Sequence, residues 1–308
     1  MKLYRIRMRP LSAWRTEWQS DTVAGLLCLM VSRFDGADTL REEILRECEA
    51  GRPPFVLSDA FPLDYLPVPE IARFSLKGES KKLKRASLLT RESFLRSQRG
   101  EALTGEDLLS DEIVCRTPHL HNTLDRRSDT TGAAGSLFSV TDYFGTLPEE
   151  EFFLSIYARV RDDYLERLRG LFGRLAQNGF GADISTGKGQ FEIISDLEDA
   201  SWLDELCNSD PVEERKGVVV LSTFQPAESD PVDGVWESFV KFGKVAPDFG
   251  TDQVFKPPML MFRPGACFKT SSAKGFLGGM VTVSRVGTTE IKQLCYGLAV
   301  PHVWKEVV

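Results

Sequence analysis

The run Asn178–Ile193 limits what this chain can fold into more than any other stretch. It places four glycines in eleven positions, as Gly179-Phe180-Gly181 and Gly187-Lys188-Gly189, with Ala182-Asp183-Ile184-Ser185-Thr186 between them. A helical pattern carried by Tyr164, Leu165, Leu168, Leu171, Phe172 and Leu175 runs into it, and a strand pattern over 190–195 leaves it. Glycine reaches positive φ at no steric cost and lets another backbone come close, so Gly179 is expected to cap the helix. Gly187 and Gly189 are expected to leave bare amide N–H groups flanking Lys188, a concavity suited to an anion. The run is not a Walker loop: Gly181 to Gly187 is one residue too long, and Gly189 stands where Ser or Thr is required. It is not a dinucleotide fingerprint either, which opens a helix after a strand and carries a third glycine. A glycine-rich connection with no ligand is the remaining alternative.

A second anion site is suggested near the N-terminus. Residues 2–9 alternate as a strand that Pro10 ends, and a loop with Trp14, Arg15 and Trp18 follows. Ser20-Asp21-Thr22 then supplies helix N-cap chemistry ahead of an apolar face of Val23, Leu26, Leu27, Met30, Val31 and Phe34. The free amides of such a helix start favour a phosphate, and Gly25, a poor helix former, suggests a close backbone approach. A well-capped core helix is the alternative.

Charge is unevenly placed. The 308 residues carry a net charge of −7, which argues against non-specific nucleic-acid binding. Residues 73–99 nevertheless hold nine Lys/Arg (Arg73, Lys77, Lys81, Lys82, Lys84, Arg85, Arg91, Arg96, Arg99) and two acids, whereas residues 192–214 hold nine acids and no base. A basic patch on an acidic body suits a subunit that holds RNA at one place and meets protein elsewhere. Six cysteines are scattered without a C-x-x-C pair, so no zinc or redox site is expected, and they read as reduced cytosolic thiols. No metal, cofactor or membrane-spanning run is expected.

Between residues 38 and 50 a second helix is expected, ended by Gly51; prolines at 53, 54, 62, 67 and 69 then predict short strands and turns. Around Leu88, Leu89, Phe94 and Leu95 the basic segment reads as partly helical. Residues 113–138 read as a long hairpin with a polar, glycine-bearing tip. Its strands carry Arg116, His119, His121, Asn122, Arg126 and Arg127. The two histidines admit RNA cleavage, plain RNA contact or a structural role. The second half repeats the opening order, with strand 152–160, helix 161–177, the glycine loop, an acidic linker over 196–215 and an apolar strand over 217–224. Residues 259–268 read as a further hairpin, and Gly275–Met280 as a second glycine cluster before a strand over 281–285. The expected class is α+β, with two ferredoxin-like (RRM-like) units, antiparallel sheets, a long thumb-like hairpin and the glycine-rich loop, divided as 1–148 and 149–308.

Several of these segments together resemble the RAMP superfamily (repeat-associated mysterious proteins), the RNA-binding subunits of CRISPR effectors. The glycine loop is similar to theirs in order. Ser20-Asp21-Thr22-Val23-Ala24-Gly25-Leu26-Leu27-Cys28 resembles a Ser-Asp-Thr segment of type III members. Asn122-Thr123-Leu124-Asp125-Arg126, Thr131-Gly132 and Ser136-Leu137-Phe138 resemble their thumb. More narrowly the chain looks like the type III-A (Csm) subunit that caps the 5′ handle of the crRNA. Ala24 and Lys188 depart from the usual pattern.

The resemblance implies a cytoplasmic, non-enzymatic subunit that holds the crRNA 5′ handle. Its implied partners are a large polymerase-like signalling subunit and a backbone RAMP subunit. Implied RNA contacts are Ser20, Asp21, Arg116, His119, His121, Asn122, Arg126, Arg127, Gly179, Gly181, Ser185, Thr186, Gly187, Lys188 and Gly189; Trp14, Phe180 and Tyr143 are candidates for base stacking by residue type, with a place in the core as the favoured alternative for each. The alternatives are a repeat-processing endoribonuclease of the same superfamily, the type III-B (Cmr) cap, and a protein scaffold without RNA.

Overall fold

The computed structural model describes residues 1–76, 86–109, 113–125, 127–128, 130–131, 137–208, 216–245, 255–270 and 275–305. Strand β1 (Lys2–Pro10) leads through the Trp14–Trp18 loop into helix α1 (Ser20–Asp35). A broken helical stretch follows, Ala37–Leu40 and Arg46–Glu49 joined by a π turn at Arg41–Leu45, where one helix is expected from the sequence. The proline-rich segment gives the short strands β2 (Phe55–Leu57), β3 (Phe61–Pro62) and β4 (Leu66–Pro67). The basic segment contributes β5 (Leu88–Leu89) and helix α2 (Arg91–Gln98), then β6 (Leu108–Leu109) completes a three-stranded sheet with β4 and β5.

The long hairpin is present. β7 (Val114–Asn122) pairs antiparallel with its returning strand, and β8 (Leu124–Asp125) with β9 (Thr130–Thr131) forms a small ribbon beyond it. The returning strand β10 (Leu137–Gly145) runs in register from Leu137 opposite Asn122 to Gly145 opposite Val114.

β11 (Leu154–Val160), buried at every position, leads into helix α3 (Leu165–Asn178), the glycine loop and β12 (Phe191–Ile193). The acidic stretch is more than a linker, holding β13 (Glu198–Asp199) and a 3₁₀ turn over Ser201–Asn208. The main sheet runs β12-β1-β11-β2, with β13 also on β1 and β3 also on β11. α1 and α3 touch, and Val23, Leu27, Met30 and Val31 of one join Leu168, Leu171, Phe172 and Leu175 of the other in a core with Ile6, Met8 and Ile156. Each such side chain contributes roughly 1.5–3 kcal/mol by leaving water. Alternation along β1 also points Arg5 and Arg7 at Asp64, whose carboxylate they share.

The last third contributes β14 (Lys216–Val220), β15 (Gly234–Val235), β16 (Ser238–Lys241), β17 (Met259–Phe262), β18 (Cys267–Lys269), β19 (Phe276–Val286) and β20 (Thr289–Val303). A five-stranded sheet runs β15-β18-β14-β20-β19, and β16 pairs β17 separately. Several expectations are corrected by the pairing. Residues 259–268 are not a hairpin: β17 pairs with β16, and β18 with β14 and β15, because Arg263-Pro264-Gly265-Ala266 carries the chain from one ribbon to the other sheet. The strand expected over 281–285 starts earlier, since Phe276–Met280 of the glycine cluster lies inside β19, paired with β20. Between 216 and 305 the described residues contain no helix, and the helix expected in the second half is α3. The sheets are not divided at residue 148, because the main sheet takes β1 and β2 from before it and β11 and β12 from after it.

Candidate nucleic-acid interface

The glycine loop and the hairpin meet, and residues 12–16 lie between them. On one side, Leu11 N–H donates to Gln190 O (2.8 Å), Gln190 N–H to Ser12 Oγ (2.9 Å), Gly189 N–H to Ala13 O (2.9 Å) and Ala182 N–H to Thr16 Oγ1 (3.0 Å). On the other, Trp14 and Tyr143 exchange both backbone hydrogen bonds, at 3.0 and 2.8 Å. Gly179 caps α3 with φ 84°, as expected. Gly189 has φ 67°, and a Cβ there would stand 1.9 Å from the Phe180 carbonyl oxygen, so no other residue fits.

The amides flanking Lys188 are not bare. Gly187 N–H donates to Ile184 O (3.0 Å), Lys188 N–H to Asp183 O (3.2 Å) and Gly189 N–H to Ala13 O (2.9 Å). The loop closes its own hydrogen bonds, so the expected amide concavity is absent and side chains carry the site's chemistry. Ser185, Thr186 and Gly187 form an exposed crest, Gly181 is half-buried beneath it, and Lys188 points back to the hairpin.

Asp142 of β10 is the centre of that contact. It accepts from Arg15 Nε (2.5 Å) and Lys188 Nζ (2.7 Å), with His119 Nε2 3.5 Å away. Arg15 Nη1 also donates to Asp183 Oδ2 (2.7 Å), and its Nη2 lies 3.4 Å from His121 Nε2. Burial alone would raise the Asp142 carboxyl, but hydrogen bonds from Lys188 and Arg15 outweigh it and hold it below the ordinary carboxylate range. The structure thus gathers Lys188, His119 and His121 around two residues that the sequence reading did not select, Arg15 and Asp142. Asp142 had one signal: it interrupts the apolar alternation Val140, Phe144 on its strand.

Arg116 is exposed on β7, near Glu17 (3.7 Å) and over the Tyr143 ring (5.7 Å). Asn122 is exposed at the outer end of the hairpin, and Arg127 in the turn beyond β8. Arg126 lies outside the described residues, as do Gly132, Lys77, Lys81, Lys82, Lys84 and Arg85. Beside the junction a cleft of about 1330 Å³ opens, lined by Trp14, Glu17, Arg73, Arg116, Tyr143 and Arg263 among others.

Other expected contacts are placed elsewhere. Ser20 and Asp21 are buried and bonded within the protein: Ser20 Oγ donates to Thr223 O (2.7 Å), and Asp21 accepts from Lys241 Nζ (2.7 Å) and Gln293 Nε2 (2.7 Å). The start of α1 is not open to phosphate, because Asp59 already fills it, accepting from Ser20 N–H (2.8 Å) and from Thr223 N–H and Oγ1 (2.7 Å each). Gly25 faces open space, with no close approach among the described residues. Phe180 and Trp14 are buried, Phe180 stacked on Trp18 at 3.6 Å between centroids, so neither is a platform for bases; half-buried Tyr143 lines the cleft. The basic segment is largely neutralised where described, with Arg73 on Glu70, Arg96 on Glu101 and Asp107, Arg99 on Glu101, and Arg91 over the Trp202 ring.

Among the described residues no group of three or more His, Cys, Asp or Glu side chains is placed to hold a metal. No described helix is long and apolar enough to cross a membrane.

No protein-family model and no curated relative matches the sequence. Solved structures do match in fold. A chain of the Csm3-Csm4 subcomplex in the type III-A CRISPR-Cas interference complex superposes with a TM-score of 0.65 and 12% identity, over 99% of this chain and 100% of that one. A chain of the Csm1-Csm4 cassette in complex with cA4 gives 0.61 and 18%, over 97% of each. A chain of the cassette with pppApA gives 0.59 and 17%, over 98% of this chain and 97% of that one. The fold is that of a type III CRISPR subunit. More narrowly it is similar to Csm4, the component common to these assemblies.

Proposed function

We propose that this chain is an RNA-binding structural subunit of a type III CRISPR interference complex. It holds the 5′ handle of the crRNA, docks a large polymerase-like subunit and a backbone RAMP subunit, works in the cytoplasm and does no chemistry of its own. The observation that carries this reading is the end-to-end likeness in fold to chains from Csm1-Csm4 and Csm3-Csm4 assemblies. The junction agrees with it. Lys188, Arg15 and the two histidines supply hydrogen-bond donors of the kind that meet a phosphate backbone, while the cleft with Tyr143 and Arg116 offers room, donors and acceptors for unstacked bases.

We infer that the main sheet and its two helices form one ferredoxin-like unit. The order strand, helix, strand, strand, helix, strand and the spatial order β12-β1-β11-β2 support this reading, in which residues 58–153 are an insertion between β2 and β11. On this reading the hairpin is part of an insertion, and the unit ends after β12 rather than at 148. The endoribonuclease alternative is served less well, because Lys188 is held by Asp142 instead of facing open solvent.

The test is affinity purification of the tagged full-length chain from its native host, with sequencing of bound RNA and mass spectrometry of bound protein. Guide RNAs sharing one 5′ sequence, together with a polymerase-like subunit and a RAMP backbone subunit, are expected. Cleaved repeats without partner proteins would overturn the proposal in favour of a processing nuclease.

A further inference from the structure

The junction holds more positive charge than it presents. Arg15 is engaged at Nε by Asp142 and at Nη1 by Asp183, and its side chain is 12% exposed. Lys188 spends its ammonium on Asp142 and is 27% exposed. Two cations thus face two carboxylates, and formal charge cancels at the point where the loop and the hairpin should grip an anion.

Asp142 is the unusual member. Its strand is otherwise open, with Leu137, Phe138, Ser139 and Phe144 exposed, yet Asp142 is buried. Its carboxylate collects an ammonium, a guanidinium and an imidazole at 2.7, 2.5 and 3.5 Å. The same donor set binds a phosphate oxygen by the same charge-assisted hydrogen bonds. A hairpin carboxylate therefore stands where a backbone phosphate would be bound.

We propose that this junction is a masked phosphodiester site. Asp142 fills it in the RNA-free chain and yields Lys188 to a backbone phosphate when RNA arrives. The exchange is ionic, and no covalent bond forms or breaks. Lys188 is reached first, being the more exposed cation, while Arg15 keeps its link to Asp183. Because Asp142 belongs to β10, loading RNA at the glycine loop loosens the root of the hairpin. This inference rests on the RNA-binding reading above and adds to it how the chain avoids gripping stray anions.

The test is equilibrium binding of single-stranded oligouridylate to the full-length chain across a salt series, for wild type, Asp142→Asn, and Asp142→Asn with Lys188→Met. Asp142→Asn is expected to bind about tenfold tighter at low salt, and its plot of log affinity against log salt to steepen by about 0.7, one freed cation on a single strand. The double variant loses both gains. If wild type binds and Asp142→Asn matches it in affinity and slope, the masking is overturned and the RNA-binding reading stands. If neither binds, both fail at this site, since uncovered cations must add affinity. Amide exchange in wild type serves if Asp142→Asn does not fold: RNA should speed exchange over 140–145, and no change there contradicts the proposal.

Discussion

The start of α1 and the loop after α3 look alike in sequence and differ in the fold. Both pair small polar residues with glycine at a helix end, and both suggest a phosphate site. At α1 the free amide of Ser20 is met by Asp59, 39 residues away, and Asp21 and Ser20 are drawn into bonds with the last third of the chain. At the glycine loop the backbone amides are also used internally, but two cations and two histidines gather at its border with an exposed hairpin. A helix end becomes a ligand site only when the protein does not fill it first, and what fills it comes from distant sequence.

The largest expected effect comes from Gly189→Val. The backbone has a positive φ, and the Phe180 carbonyl blocks a Cβ, so a loss of about 4 kcal/mol or more is expected in thermal or denaturant unfolding. Wild-type stability would show that the loop is not folded as described. Gly187, exposed with open space around its Cβ position, should tolerate Ala far better despite its own positive φ.

The two central carboxylates have opposite pH behaviour. Burial pushes the Asp59 carboxyl up to about 6, against which hydrogen bonds from Thr223 and Ser20 work only in part. A raised folded value means that this stability is fully present below the unfolded value near 3.8 and is lost as pH rises through 6. The loss amounts to about 3 kcal/mol between pH 4 and 7, and Asp59→Asn should remove that fall in unfolding free energy. Asp142, held low, contributes above the unfolded value and loses its contribution as pH drops below about 4, so Asp142→Asn flattens only the acid limb. If Asp59→Asn left the profile between pH 4 and 6 unchanged, the plugged helix start would be wrong.

Lys188→Met should separate binding from stability. We expect guide RNA retention in the assembled complex to fall about tenfold, with unfolding free energy within about 1 kcal/mol of wild type. Equal RNA retention would leave the loop as a connector. The smallest effect is at Gly25. Exposed in α1 with no neighbour, it should gain roughly 0.5–1 kcal/mol on replacement by Ala, without loss of RNA. A loss of RNA binding would mean that α1 meets a ligand after all.

Local chemistry made much of the fold legible. The strand at the start, α1, the hairpin expected over 113–138, β11, α3 and the Gly179 cap all follow from apolar period and turn residues. Pairing was harder to read. β17 and β18 look like one hairpin because Pro264-Gly265 separates two apolar runs, but their partners lie at 238–241 and 216–220, which no local pattern announces. The long segment 58–153 hid the main sheet for the same reason, since β2 and β11 are neighbours in space across almost a hundred residues. In the site, Lys188, His119 and His121 were legible as residue types, whereas the Asp142 carboxylate that joins them depends on hairpin register and on the loop that leads into β12 of a different sheet.

Ultraviolet cross-linking of the RNA-loaded complex, read by peptide mass spectrometry, tests the central claim most directly. Cross-links are expected in peptides covering 116–122, 137–144 or 180–190 and absent from 18–24. Cross-links concentrated at 18–24, or none in the hairpin and glycine loop, would contradict the assignment of the RNA site to their junction.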